Sequence, residues 1–195
     1  MLVAHLIPAY HGTLHAQTAV DMSRTTLVCA ERGWKYIPIC IDMHGIERVR
    51  NLGVKQAYEL GADLLLMQDA DTFSLPPAFG PLEPLYSAME KCDAAVVGAA
   101  VVTRNGTRMN CEPAVPGRIY AGEVGTGLML IDLRKLRDIP QPWFFQDVAD
   151  DGITLLVGED IGFCRLVKES GHVVVVDYSF NTGHGYSSVN ATNVA

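Results

Sequence analysis

The chain has 195 residues, enough for one domain that buries roughly 70% of its unfolded surface. Apolar residues make up 49% and charged residues 19%, a composition that excludes a disordered chain and predicts a packed globular one. The formal net charge of −7 argues against a protein that lives mainly by coating nucleic acid, since phosphate contacts need clustered Lys and Arg.

Leu2 to Ile7 reads as a first strand ending at Pro8; the start "MLVAHLIPAY" lacks the basic residues and cleavage site of a signal peptide. A helix is expected from Leu14 to Arg32, with Gly33 as its left-handed cap. Residues 36–41, "YIPICI", read as a second strand, where Pro38 is tolerable only near an edge or bulge. Residues 46–60 carry Ile46, Val49, Leu52, Ala57 and Leu60 at helical spacing and stop at Gly61. "LLLM", Leu64 to Met67, is a third strand. "PLEPLYSAMEKC" (81–92) reads as a helix, "AAVVGAAVV" (94–102) as a strand and "GLMLIDL" (127–133) as another. Between them, residues 103–126 carry Gly and Pro without a period and are expected to form loops and short strands near a site. A helix over 159–170 capped by Gly171, a buried strand over 173–177 and a polar tail from Tyr178 complete the chain. Strand and helix alternate from the start, which predicts an α/β domain with a mostly parallel sheet and helices on both faces. No apolar run approaches the roughly 20 residues needed to span a bilayer. The five cysteines form no CxxC pair and no zinc spacing, which fits reduced thiols in a cytoplasm.

The chemistry is concentrated after the third strand, in "LLLMQDADTF". Ligands of open α/β sheets bind beyond the carboxyl ends of the strands, and Asp69 and Asp71 stand there. Two carboxylates one residue apart in an extended segment point the same way. Like charges so close need a positive partner, and a hard cation, Mn²⁺ or Mg²⁺, supplies one through oxygen ligands. The bland reading of Asp-x-Asp is a turn with a helix cap. For Glu159 and Asp160 it is the preference of a helix N-terminus for acids. His11 and His15, four apart, fit a loop entering the first helix better than a metal pair. Trp34 and Trp143 fit packing better than sugar stacking, although Trp143 and Phe144 occupy a Pro-flanked loop where an acceptor could stack.

"RVRNLGVKQAYEL" leading through "GADLLLMQDADTF" resembles the GT-A fold nucleotide-sugar glycosyltransferases, and is most similar to small family 2-like members of bacterial or phage type. The resemblance covers most of the chain and implies a single GT-A-like (Rossmann-like) domain over 1–195. It implies a glycosyltransferase of the hexosyltransferase type, moving a sugar from a nucleotide-diphosphate donor to an acceptor hydroxyl. Pro8, Ala9 and Tyr10 match the segment against the nucleotide base, and Asp42 the acid that accepts from a uracil imide. A UDP-sugar is therefore preferred, with GDP as the alternative. Arg50 matches the arginine near the donor, and Gly127 the glycine-rich entrance beside the donor sugar. Asp71, Asp69 and His184 match the metal ligands, Asp69 acting through water or on ribose instead. Glu159 and Asp160 match the acidic motif, in which Asp160 would take the acceptor proton in an inverting enzyme or orient substrate in a retaining one.

Only eleven residues follow His184, so the C-terminal acceptor-binding extension of many relatives is not expected, and the acceptor stays open between a glycan, a protein and a modified DNA base. A DNA acceptor would need Arg104, Arg108 and Arg118 on one rim of the site; "RKLR" (134–137) is a second basic candidate. A lipid-linked acceptor is disfavoured, and the cytoplasm expected is bacterial, or a host's for a phage protein. Two other functions compete. A haloacid-dehalogenase-type phosphatase also places DxD after a strand, with "VADDG" (148–152) as a later acidic pair, but its motif closes the first strand. A non-catalytic nucleotide-sugar-binding module would keep the same polar residues. A sugar nucleotidyltransferase would need a Gly-rich, Lys-containing loop where this chain has "PAYHGTLHAQ".

Overall fold

A computed structural model describes residues 1–75, 80–100, 118–179 and 182–185. In chain order the elements are β1 (Leu2–Pro8), α1 (Ala16–Glu31), β2 (Lys35–Ile41), α2 (Ile46–Glu59), β3 (Leu64–Gln68), β4 (Thr72–Ser74), α3 (Leu82–Cys92) and β5 (Val96–Ala99). They continue with β6 (Ile119–Ala121), β7 (Leu128–Asp132), β8 (Asp147–Val148), β9 (Leu155–Val157), α4 (Glu159–Glu169), β10 (Val174–Asp177) and β11 (Thr182–His184).

Seven strands form one twisted sheet in the order β2-β1-β3-β7-β5-β10-β6. β1 pairs parallel with β2 and β3, and β5 with β10, while β7 runs antiparallel between β3 and β5 and β6 antiparallel on β10. Five of the seven strands therefore point one way, and the sheet is mostly parallel as expected. Two-sided burial explains the apolar runs: every residue of β3 and of β7 is buried. Residues at even and odd positions serve opposite faces. Leu65, Met67 and Ile131 join α2 and α4 in one core, whereas Leu64, Leu66 and Leu130 join α1 and α3 in the other. α2 lies close on the sheet because Gly53 has no side chain: a Cβ there would come within 2.3 Å of Leu6 Cδ2.

Helix ends follow local sequence. Gly33, Gly61 and Gly171 take φ of +67°, +71° and +84° after α1, α2 and α4, the left-handed conformation that costs glycine little. α3 ends instead on Asp93 at φ +49°, where Lys135 Nζ donates to both the Asp93 carbonyl and its carboxylate. Pro38 sits on β2, the edge strand, where its missing N–H breaks no ladder.

β2 and β3 flank β1 on opposite sides, so the connection reverses direction at β1/β3. A crevice opens at such a switch point, beyond the carboxyl ends of the strands. β7, entering antiparallel with Leu128 opposite Gln68, brings Gly127 to the same edge.

Candidate active site

Four peptide segments converge at the switch point, beside a cleft of about 660 Å³, within the range of small-molecule sites. Pro8, Tyr10, Arg50, Asp69 and Asp71 line it, with Met43, Ile46 and Val49 as an apolar wall. The Asp69–Asp71 turn is held by backbone contacts on three sides. Asp69 N–H donates to the Gly127 carbonyl at 3.0 Å, His15 N–H to Ala70 O at 2.9 Å, and Gly185 N–H to Asp71 O at 2.6 Å.

Arg50 is the electrostatic centre. It is buried on α2 and donates to Glu159 Oε1 on α4, and through its other amino group it lies 3.4 Å from Asp69 Oδ1. One planar guanidinium thus ties the DxD turn to the first acid of α4, a forked geometry that suits arginine over lysine. Asp160, next to Glu159, is half-buried, and its Oδ1 accepts from Ile161 N–H at 2.8 Å. Burial raises its carboxyl above the usual carboxylate range, the nearby Glu159 charge adds to that, and Ile161 N–H and Arg50 oppose it. A raised value strengthens a carboxylate as a proton acceptor.

His184 lies on β11, which pairs antiparallel with β4 so that His184 stands opposite Thr72. Its Nε2 is 3.5 Å from Asp71 Oδ2. The structure therefore brings Asp71 and His184 together, while Asp69 turns to Arg50. Among the described residues no group of three or more His, Cys, Asp and Glu side chains is arranged to hold a metal ion.

On the other flank Ala9 is buried, and its N–H donates to Ile41 O at 3.0 Å, which fixes Tyr10 and Asp42 beside one another. Tyr10, half exposed, shares a 2.8 Å hydrogen bond with His44 Nδ1 and meets the His11 ring edge-on. Asp42 is exposed, and a Cβ on Gly12 would come within 3.8 Å of its Oδ2. His11 and His15 share no helix face: His11 sits in a turn at φ +59°, and His15 caps α1 and stacks on Phe73 at 4.8 Å.

Two expectations are corrected. Trp143 and Phe144 cannot receive an acceptor, because both are buried in the α2/α4 core. Asn51 holds them there: its Oδ1 accepts from Trp143 and Phe144 N–H, and its Nδ2 donates to the Phe144 carbonyl. In "RKLR", Arg134 pairs with Asp132 and Lys135 with Asp93, so neither is a free phosphate contact. Arg118 is exposed, whereas Arg104 and Arg108 lie outside the described residues. Cys29, Cys40, Cys92 and Cys164 are free thiols, and Cys111 lies outside the described residues. No helix among them is long and apolar enough to cross a membrane.

Sequence reasoning missed the support behind the DxD turn. Asp21 on α1 is buried and accepts from Gln68 Nε2 at 2.9 Å, from Ser74 N–H at 2.6 Å and from the Ser74 hydroxyl. Thr18, one turn earlier, donates its hydroxyl to Ala70 O and Thr72 O. Both sides of the turn are thus pinned to one helix face. The available signal was Thr18, Asp21 and Thr25 recurring at helical spacing on the face that the pattern should bury.

Burial raises the Asp21 carboxyl above its ordinary value, against the lowering pull of Ser74, Gln68 and Arg24. A carboxyl raised on folding favours the folded state most when protonated, so its contribution falls as pH rises through the range above 3.8. Asp21→Asn, which keeps an acceptor and a donor, is expected to remove that slope. Urea titrations between acidic and neutral pH should show the wild type losing stability relative to the variant as pH rises. Asp21→Ala, which strands the buried Ser74 N–H, should cost up to about 3 kcal/mol, most at acidic pH where the wild-type carboxyl contributes most.

No family model and no curated protein matches the chain. Solved structures do. A197 from STIV is 17% identical with a TM-score of 0.60, over 94% of this chain and 85% of that one. A UDP-glucose pyrophosphorylase is 10% identical, TM-score 0.54, over 96% and 94%. GalNAc-T7, solved with UDP, GalNAc and Mn²⁺, is 10% identical with a TM-score of 0.52; the match covers 96% of this chain and 45% of that one. The likeness is one of fold, and it defines this chain as a GT-A-like, Rossmann-like α/β protein.

Proposed function

We propose that the protein transfers a sugar from a nucleotide-diphosphate donor, a UDP-sugar in preference to a GDP-sugar, to an acceptor hydroxyl, with a divalent cation. The observation that carries this is the meeting, at one cleft on the β1/β3 switch point, of the Asp69–Asp71 turn, His184 beside Asp71, and the Arg50 link to Glu159. The fold shared with GalNAc-T7, a structure that holds UDP and Mn²⁺, supports it.

Two carboxylates and an imidazole are a fitting donor set for Mn²⁺ or Mg²⁺. Asp71 and His184 would hold the cation, with Asp69 joining through water. When bound, the cation stabilises the charge that develops on the leaving diphosphate. The chain's own residues do the rest. Pro8, Ala9 and Tyr10 receive the base, and the Asp42 carboxylate accepts from its imide N–H. Gly127, without a side chain, leaves room for the donor sugar. Arg50 orients Asp69 and Glu159. Asp160 takes the proton from the acceptor hydroxyl as its oxygen attacks the anomeric carbon, and the carbon–oxygen bond to the diphosphate breaks with its electron pair going to the leaving group. In a retaining enzyme Asp160 would orient the acceptor instead.

A screen of UDP-, GDP- and TDP-sugars with Mn²⁺, Mg²⁺ or EDTA tests the reading. Metal-dependent donor breakdown supports it, and phosphate release from phosphomonoesters favours the phosphatase. Nucleotide binding without turnover leaves a binding module. The pyrophosphorylase likeness adds an arm: sugar 1-phosphate with UTP, where pyrophosphate release would overturn transfer in favour of nucleotidyl transfer.

A further inference from the structure

The segment between the buried Phe144 and Glu159 rises from the site as a small hairpin, β8 and β9, that belongs to neither core. Its two ends are fixed to neighbouring residues of α2: Asn51 holds Phe144, and Arg50 holds Glu159. Its base is therefore set beside the DxD turn. Its tip is ordered too. Asp151 accepts from Ile153 N–H, Thr154 N–H and the Thr154 hydroxyl, and Ala149 N–H donates to Thr154 O at 2.8 Å.

This ordered hairpin exposes several apolar side chains. Val148 and Leu155 are cross-strand partners, and both are exposed. Leu156, the extra residue where the register shifts between Asp147 and Val148, is 58% exposed, and Ile153 at the turn is 86% exposed. Exposed apolar side chains gathered on one small element anchored at both ends mark an interaction surface. Among the described residues the two strands pair only with each other, so each keeps an open edge to which an extended chain can add.

Charge selects the occupant. Asp147, Asp150 and Asp151 are exposed on the same hairpin, and residues 145–158 contain no Lys or Arg. The hydrogen bonds at the turn hold the Asp151 carboxyl down to about 2, so it stays charged at any working pH. An anionic membrane, a nucleic acid and a second copy of the hairpin would each bring negative charge against these three carboxylates. We infer that the hairpin docks an extended polypeptide segment of alternating basic and apolar side chains, which lies across the mouth of the cleft as the acceptor of the proposed transfer. The acceptor role rests on that function; the docking surface does not.

Binding separates the two. Fluorescence anisotropy would compare a labelled peptide alternating Lys with Leu or Val around a central Ser and the same peptide with Glu for Lys. The Lys peptide is expected to bind about ten-fold or more tightly than the Glu peptide, and Ile153→Ser with Leu156→Ser to weaken the Lys peptide by about ten-fold or more. Equal affinity for the two peptides, or full affinity in the double variant, overturns the proposal. Tighter binding to phosphatidylglycerol vesicles than to the Lys peptide overturns it in favour of a lipid surface. A concentration-dependent dimer that the double variant loses overturns it in favour of self-association. UDP binding with Mn²⁺, measured in parallel on the wild type, reports on the donor reading alone: peptide binding without UDP binding leaves the docking surface standing.

Discussion

Asp71→Ala is expected to lower metal-dependent UDP binding by at least about 100-fold, since even indirect supports of a metal ligand are worth 10–100-fold. The melting temperature should hardly move. The Asp71 side chain is 29% exposed, and its neighbour His184 carries charge only when protonated, so the lost pair is worth about 1 kcal/mol at most. Removing one of two crowded carboxylates also relieves repulsion in the metal-free protein. Titration calorimetry with UDP, with and without Mn²⁺, reads the first effect and thermal unfolding the second. Equal affinity in wild type and variant would remove Asp71 from the donor site.

Arg50→Met reverses the pattern and damages stability as well as turnover. Substituting the apolar chain leaves Asp69 and Glu159 facing one another without the cation that joins them. Breaking a fully buried pair costs roughly 3–5 kcal/mol. Here the side chains of Asp69 and Glu159 remain 32% and 14% exposed, so a loss of about 2–3 kcal/mol is expected. Arg50→Lys should fall between, because one ammonium cannot fork to two carboxylates as a guanidinium does. Donor hydrolysis should drop about 10–100-fold in the Met variant, as both acids lose their orienting partner. Urea unfolding and initial rates measure the two effects. A Met variant as stable as the wild type would show that solvent, and not Arg50, compensates the carboxylates.

The contrast between these two aspartate contacts shows what the sequence carried and what it hid. The strand Leu64–Gln68, the turn after it and the helices around it were legible because they rest on local signals: an apolar run, a helical period, a glycine just past the end of three of the helices. His184 was legible only through its likeness to a known motif; its path to Asp71 depends on β11 pairing with β4, three residues on each side and most of the chain apart, which no periodicity records. The antiparallel course of β7 was likewise invisible, since an apolar run has no direction. Arg50 was expected beside a donor, and its engagement with two carboxylates could not be read from one arginine on a helix. Trp143 and Phe144 looked available because prolines flank them; their burial is decided by Asn51, far away in sequence. Asp21 was the overlooked clue, a charged residue on a face that should be apolar.

The pairing of β4 with β11 also bears on how the protein is made. Synthesis runs from the amino end at roughly 5–20 residues per second, so the Asp69–Asp71 turn leaves the ribosome seconds before the strand that carries His184. Until then β4 lacks the strand it pairs with, and Asp71 stands without its imidazole neighbour. The nascent sheet can collect β1, β2 and β3 early, because those pairings are close in sequence. The reactive edge is finished by the last described element to emerge. A chain stalled or clipped before Thr182 would therefore keep much of its core and its nucleotide-facing turn, yet lack the closing strand, and would pass for folded by every measure except chemistry.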